Sequence, residues 1–193
     1  MTGRTREGPG RGAGRWWRRA AWIAAMSVLL LPLVAMQFTS DVHWTVADFV
    51  FAGGLLFGSL GAYEIVARTT GDVVYRAGVG LAIVATVLLI WINAAVHITD
   101  SAADGMYFGV AAIGIVGVIL ALIRPGLGAR VLLVAAAATV GVTATALIVG
   151  MVPNPDVSLI EVTGLTGGYT LLFVGAAGLL WRAGRGAPEQ ETV

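Results

Sequence analysis

The sequence predicts an all-α integral membrane protein whose six transmembrane helices form a compact bundle of three in–out hairpins. The composition is 58% hydrophobic and only 12% charged, whereas soluble domains carry about 25% charged residues. Six apolar segments approach the ~20 residues that cross a bilayer as a helix. All 12 basic residues are arginines, and they fall on one side of a six-span topology. Together these observations exclude a soluble protein.

The six apolar segments define the predicted spans. Each is expected to be helical, because an unpaired backbone amide in hydrocarbon costs several kcal/mol. Together they make a transmembrane domain over residues 20–182. In chain order the spans cover residues 20–36, 47–67, 77–96, 106–123, 131–151 and 165–181.

The arginines set the predicted orientation. Residues 1–19 contain Arg among Gly and Pro and predict a basic, disordered cytoplasmic tail, and residues 183–193 form a second cytoplasmic tail. Cytoplasmic loops of membrane proteins are enriched in basic residues. The sequence therefore predicts N-in and C-in, because the remaining arginines lie only in the second loop, the fourth loop and the C-terminal end: Arg68, Arg76, Arg124, Arg130, Arg182 and Arg185.

The first apolar segment has an alternative interpretation. Trp16-Trp17-Arg18-Arg19 followed by an apolar run could begin a signal peptide. The run is long for the hydrophobic region of such a peptide, and Val34-Ala35-Met36 is a poor cleavage site. A retained span is therefore the expected outcome.

Glu64 is the ionisable residue nearest the interior of a predicted span. Such residues are candidates for function in a membrane. It precedes Arg68 by one helical turn, which is the favourable order for an ion pair. A neutralised carboxylate at the interface is the structural interpretation, and a proton or cation acceptor that faces the bundle is the functional one.

A second candidate is a polar cluster at the outer side. Asn93 and His97 share one face of the third span. Asp48 begins the second span and Tyr107 the fourth, at the same depth. Helix capping by Asp48 and an interhelical hydrogen bond from Asn93 are the structural alternatives.

The same cluster raises a metal hypothesis. His97 and Asp48, joined by His43 or Asp41, would supply imidazole and carboxylate ligands for a divalent cation. No metal-binding signature supports this. A haem held by two histidines would need both on spans, yet His43 lies in a loop.

Small residues and threonines are expected to serve helix packing. The segments Gly54-x-x-x-Gly58 and Gly105-x-x-x-Gly109 have the spacing that lets helices approach closely. Packing within the monomer is expected, and homodimerisation is the alternative. We expect threonines of the fifth span to bond to the carbonyl one turn earlier. The other glycines expected to pack between helices are Gly61, Gly114, Gly117, Gly175 and Gly178. The threonines of the fifth span are Thr139, Thr143 and Thr145.

Four segments between Asp48 and Arg130, among them Trp91-Ile-Asn93-Ala-Ala-Val96 and Met106-Tyr107-Phe-Gly109-Val, carry a resemblance that covers roughly residues 47–130. In these segments the chain resembles a group of small, uncharacterised multi-pass membrane proteins from bacteria. The resemblance implies bacterial origin and a multi-pass topology, and it brings no established activity. This chain departs from the group at His97-Ile-Thr-Asp100, so the group implies no ligand role for His97. The similar segments are Asp48-Phe49 through Tyr63-Glu64-Ile-Val-Ala-Arg68, Trp91-Ile-Asn93-Ala-Ala-Val96, Met106-Tyr107-Phe-Gly109-Val and Arg124-Pro125-Gly-Leu-Gly-Ala129-Arg130.

Signatures of hydrolases and of phosphate-binding enzymes do not occur in the sequence. We therefore expect no catalytic residue, cofactor or metal. The sequence predicts an accessory or scaffold protein of the bacterial cytoplasmic membrane, with lipid, a membrane-protein partner or a second copy around it and no nucleic acid. The alternatives are a small transporter or channel for protons, cations or a small solute, and a metal- or haem-carrying protein that uses His97.

Overall fold

The structure is a computed structural model that describes residues 10–96, 102–150 and 159–185. Within these ranges it contains six α-helices and no strand. All six are long and apolar enough to cross a membrane. The predicted all-α class with six candidate spans is therefore confirmed. The helices are α1 (Gly10–Ala35), α2 (Val46–Thr69), α3 (Val73–Val96), α4 (Ala103–Ile123), α5 (Pro125–Ile148) and α6 (Leu159–Arg185).

Several helices begin before the apolar segments that predicted them. Residues 10–19 were predicted as disordered tail, and this is wrong because α1 begins at Gly10. Ala13 and the arginines of this flank favour a helix and its three glycines oppose one, so the extension depends on the adjoining apolar helix. Similarly, α5 begins at Pro125 rather than residue 131, since proline is favoured at a first helical position. The start of α6 at Leu159, rather than residue 165, places Glu161 in its first turn, where a negative charge suits the helix dipole.

The chain forms two compact units, Met1–Ala62 and Tyr63–Val193, which meet within α2. In the first unit, α1 contacts the middle of α2 through Trp22 and Phe57, whose rings are stacked with centroids 5.8 Å apart. Aromatic pairs of this kind add to the stabilisation that surface burial provides.

The second unit is built around helices α3 to α6. Helix α3 packs against α4 and α6, and α5 packs against the same two helices, so the four form a closed ring. Arg124 alone joins α4 to α5, which makes these two helices antiparallel neighbours. The interior of the ring is filled by fully buried apolar side chains, chiefly Leu89, Leu132, Phe173 and Leu180.

Glycines allow the helices of this ring to approach closely. A Cβ atom on Gly128 would lie 2.5 Å from the backbone N and Cα of Ala121, and one on Gly117 would lie 2.8 Å from a Leu132 methyl carbon. Gly114 and Gly175 also pack against neighbouring helices, as predicted.

The packing prediction is wrong for six of the glycines. A Cβ atom at these positions would meet none of the described residues within 4 Å. They are Gly54, Gly58, Gly61, Gly105, Gly109 and Gly178.

Candidate functional site

Asp48 closes the N-terminal turn of α2. Its Oδ2 accepts hydrogen bonds from the backbone N–H of Thr45 at 2.7 Å and from the Thr45 hydroxyl at 2.8 Å. The Asp48 N–H donates back to Thr45 Oγ1 at 3.3 Å. This reciprocal pattern is a capping box, in which two otherwise unpaired groups at a helix start are satisfied. Asp48 belongs to the first unit, whereas Asn93 and Tyr107 belong to the second.

The metal hypothesis depends on His97, which lies outside the described residues. Among its proposed companions, Asp41 is bound by its own loop, where Oδ2 accepts a hydrogen bond from Thr39 Oγ1 at 3.1 Å. Within residues 10–96, 102–150 and 159–185, no three His, Cys, Asp or Glu residues lie together as metal ligands would. The hypothesis stays a prediction.

Asn93 joins the end of α3 to the start of α4. Its Nδ2 donates to the backbone carbonyl of Asp104 at 3.0 Å, and both residues are buried. The interhelical hydrogen bond expected of Asn93 is therefore confirmed. The Asp104 side chain lies in the first turn of α4, where the positive end of the helix dipole favours a carboxylate.

Tyr107 takes part in a buried chain of hydroxyl groups that links three helices. The Tyr107 hydroxyl lies 2.6 Å from Thr143 Oγ1 on α5. Thr143 Oγ1 in turn lies 2.7 Å from Thr166 Oγ1 on α6. Asn93, Asp104, Tyr107, Thr143 and Thr166 together form what we call the polar layer, at one end of the four-helix ring.

Each hydroxyl group in this hydrogen-bonded series can donate its proton to an acceptor within the protein. Tyr107 can donate to Thr143, Thr143 to Thr166, and Thr166 to the backbone carbonyl of Val162 at 2.7 Å. Every hydroxyl then donates once, and the chain ends on a backbone acceptor. Such a network holds helices in register, since a half-satisfied one would cost more than an apolar contact.

Threonines of α5 also bond to their own helix, as predicted. Thr139 donates to the Ala135 carbonyl at 2.8 Å, Thr143 lies 3.0 Å from the Thr139 carbonyl, and Thr145 donates to Gly141 at 2.8 Å. The sequence alone missed the cross-helix role of Thr143 and Thr166. The available signal was their position at the same end of two helices joined in sequence.

Three buried polar atoms of the second unit have no partner within the described residues. They are Asn93 Oδ1, Tyr169 Oη and Thr170 Oγ1. Buried polar groups are usually satisfied by protein or ordered water.

Glu64 forms the ion pair that its spacing predicts. The carboxylate Oε1 accepts a hydrogen bond from Arg68 Nη2 one turn later. The Glu64 side chain is 16% exposed and that of Arg68 is 65% exposed, so the pair lies at the edge of the unit. Pairs of this kind stabilise a helix by about 0.3–0.5 kcal/mol.

A second polar region lies at the opposite end of the four-helix ring. It is a cleft of about 810 Å³, which we call the arginine cleft, and its lining includes Asp72, Arg124, Arg130, Trp181 and Arg185. The guanidinium carbons of Arg130 and Arg185 lie 6.0 Å and 5.4 Å from the centroid of the Trp181 ring. In the sequence these arginines predict only the orientation, because their convergence depends on how the helices pack.

Comparisons of the chain with protein-family models, with curated proteins and with solved structures gave no match. The candidate sites are therefore interpreted from their geometry alone.

Proposed function

We propose that this protein is a non-catalytic scaffold of the bacterial cytoplasmic membrane, which organises a membrane-protein partner or a second copy of itself. The observation that carries this proposal is the filled interior of the four-helix ring. Leu89, Leu132, Phe173 and Leu180 are each completely buried there. A solute would have to displace close-packed side chains to pass between these helices, which favours a rigid support over a conducting path.

The polar groups inside the ring fit the same role. The polar layer directs its hydrogen bonds between helices, from Asn93 to α4, from Tyr107 to Thr143 on α5, and between Thr143 and Thr166 on α6. The carboxylate of Glu64 is paired with Arg68. These interactions fix helix positions, and they account for most of the residues that the transport alternative would require.

The proposal includes six spans arranged as three hairpins, with both termini in the cytoplasm. The distribution of arginines supports this orientation. The convergence of Arg124, Arg130 and Arg185 at one end of the ring, beside Trp181, is in keeping with it. The resemblance of residues 47–130 to bacterial multi-pass proteins supports the bacterial setting.

Flux measurement separates a scaffold from a transporter. We expect proteoliposomes with the full chain to pass protons and alkali cations at the rate of protein-free liposomes, and Glu64→Gln to change nothing. Val84→Ala, at an exposed apolar position on α3, is a control for reconstitution. A flux above background that Glu64→Gln abolishes and Val84→Ala retains would replace the scaffold with a transporter.

Crosslinking within the membrane tests for the partner itself. A photoreactive residue is placed at exposed apolar positions of three helices, Ile23, Val50 and Leu171, which are 67%, 70% and 73% exposed. A scaffold gives an adduct of defined mass at one or more of these positions in native membranes, and a second copy gives twice the chain mass. Lipid adducts alone at all three positions would count against the proposal.

A further inference from the structure

The arginine cleft carries an excess of positive charge. Three arginines and one aspartate line it, which gives a formal charge of 3 − 1 = +2. Asp72 is engaged in capping α3, where its Oδ1 accepts from the N–H groups of Val74 and Tyr75 at 2.8 Å and 3.2 Å. Within the described residues, none of the three arginines forms a salt bridge. Their charge is therefore open to a ligand.

Trp181 brings two of these charges together. Arg130 and Arg185 both lie over its ring, at 6.0 Å and 5.4 Å from the centroid. Each contact is favourable, since the face of an indole attracts a cation. Both guanidinium groups keep their positive charge beside this ring, since no carboxylate of the described residues forms a salt bridge with either. The arrangement thus favours a negatively charged ligand.

The backbone of the cleft is accessible to such a ligand. A Cβ atom on Gly126 would meet nothing within 4 Å, and one on Gly184 would lie 3.9 Å from the Gly126 nitrogen. Gly126 lies in the first turn of α5, in which the N–H groups of Leu127 and Gly128 already donate to the Arg124 carbonyl at 3.0 Å and 3.1 Å. This helix start adds partial positive charge to that of the arginines.

The depth of the cleft indicates which anion would meet it. It lies where α3 and α5 begin and where α4 and α6 end, so spanning helices would place it at the membrane–water interface. Trp is enriched at that level, and phosphates of lipid headgroups lie there. The planar fork of arginine matches the oxygens of a phosphate group in a bidentate manner.

We propose that the arginine cleft binds a phosphate group, which an anionic phospholipid headgroup or soluble phosphate would supply. Arg124, Arg130 and Arg185 donate to the phosphate oxygens, and Trp181 holds two of the guanidinium groups in place. This site goes beyond the scaffold role, and it stands whether or not a protein partner exists.

The test uses the full chain and two variants with equal loss of charge. Arg130→Gln/Arg185→Gln removes two arginines from the cleft. Arg76→Gln/Arg182→Gln removes two from the same predicted membrane face outside it. Arg124→Gln is a second cleft variant, in case the first fails to fold.

Two measurements distinguish a lipid headgroup from soluble phosphate as the ligand. In the first, protein released from nanodiscs of equal phosphatidylglycerol and phosphatidylcholine is weighed by native mass spectrometry, and the retained lipid is counted. In the second, the melting temperature in phosphatidylcholine nanodiscs is measured with inorganic phosphate against chloride at equal ionic strength.

We expect the cleft variant to retain phosphatidylglycerol about tenfold less than the wild type, since charge-assisted hydrogen bonds are lost. The control variant should retain it as the wild type does, which would assign the phosphate to lipid. A stabilisation by inorganic phosphate that only the cleft variants lose would assign it to a soluble ligand. Equal losses in the cleft and control variants, with no stabilisation specific to phosphate, would overturn the proposal.

Discussion

At the scale of single residues, Thr143 makes the most connections in the polar layer. Its hydroxyl lies 2.6 Å from that of Tyr107 and 2.7 Å from that of Thr166, so it links α4, α5 and α6. Thr145, two residues later on the same helix, is exposed and donates only to the Gly141 carbonyl. The two threonines form a matched pair for mutation.

We expect Thr143→Val to lower the free energy of unfolding by about 1–2 kcal/mol, since it leaves two buried hydroxyls with fewer partners. Thr145→Val should stay within about 0.5 kcal/mol of the wild type. Reversible unfolding of the purified protein in mixed micelles measures both. Equal effects of the two substitutions would show that the polar layer does not stabilise the ring.

Sequence reasoning reached only part of this layer. The approach of the Thr143 hydroxyl to the Thr139 carbonyl, at 3.0 Å, follows from local helix geometry, so it could be predicted. Its contacts with Tyr107 and Thr166 depend on how α4, α5 and α6 are rotated about their axes, which no local pattern specifies. The capping role of Asp48 was open to prediction because its partner Thr45 is three residues away.

At the scale of helices, the α4–α5 contact depends on one glycine. Gly128 faces the backbone of Ala121, and the two helices are joined by a single residue, which prevents them from moving apart. Gly109 on the outer face of α4 has no neighbour near its Cβ position.

We expect Gly128→Ala to destabilise the protein by about 1–3 kcal/mol through overpacking. Gly109→Ala should be neutral or stabilising by up to about 1 kcal/mol, because alanine is the better helix former. Thermal unfolding in detergent measures the stability of both variants against the wild type. A loss of stability with Gly109→Ala as large as that with Gly128→Ala would contradict the helix rotation described for α4.

The glycine motifs show why helix faces were hard to assign from sequence. In a soluble helix the apolar side marks the core, but lipid is as apolar as a protein interior, so no such side exists here. The spacing of Gly105 and Gly109 therefore predicted packing that the structure does not show, whereas Gly128, outside any motif, makes the tightest contact. The starts of α5 and α6 were also hard to assign, because first turns that carry Pro125 or Glu161 extend these helices beyond their apolar segments.

At the scale of the whole molecule, composition and hydropathy were sufficient for the fold class. Six apolar helices appear where six apolar segments lie, because an unpaired backbone is too costly in lipid. The closed ring of α3 to α6 could not be predicted, since many pairings of six apolar helices bury similar surface. The arginine cleft follows from that ring and was missed for the same reason.

We propose that the chain crosses the membrane with its arginine-rich loops in the cytoplasm. The sequence has no cysteine, so single cysteines can report on each side. Ser40 lies between α1 and α2, and Gly71 lies between α2 and α3. The two variants are Ser40→Cys and Gly71→Cys. Both positions are exposed, and the wild type serves as the unlabelled control.

The most direct measurement is labelling of these two variants with a membrane-impermeant maleimide, in intact cells and after the membrane is opened. We expect Ser40→Cys to be labelled in intact cells and Gly71→Cys to be labelled only after the membrane is opened. Labelling of Gly71→Cys in intact cells would contradict the proposed orientation, and equal labelling of both variants from one side would contradict the crossing by α2.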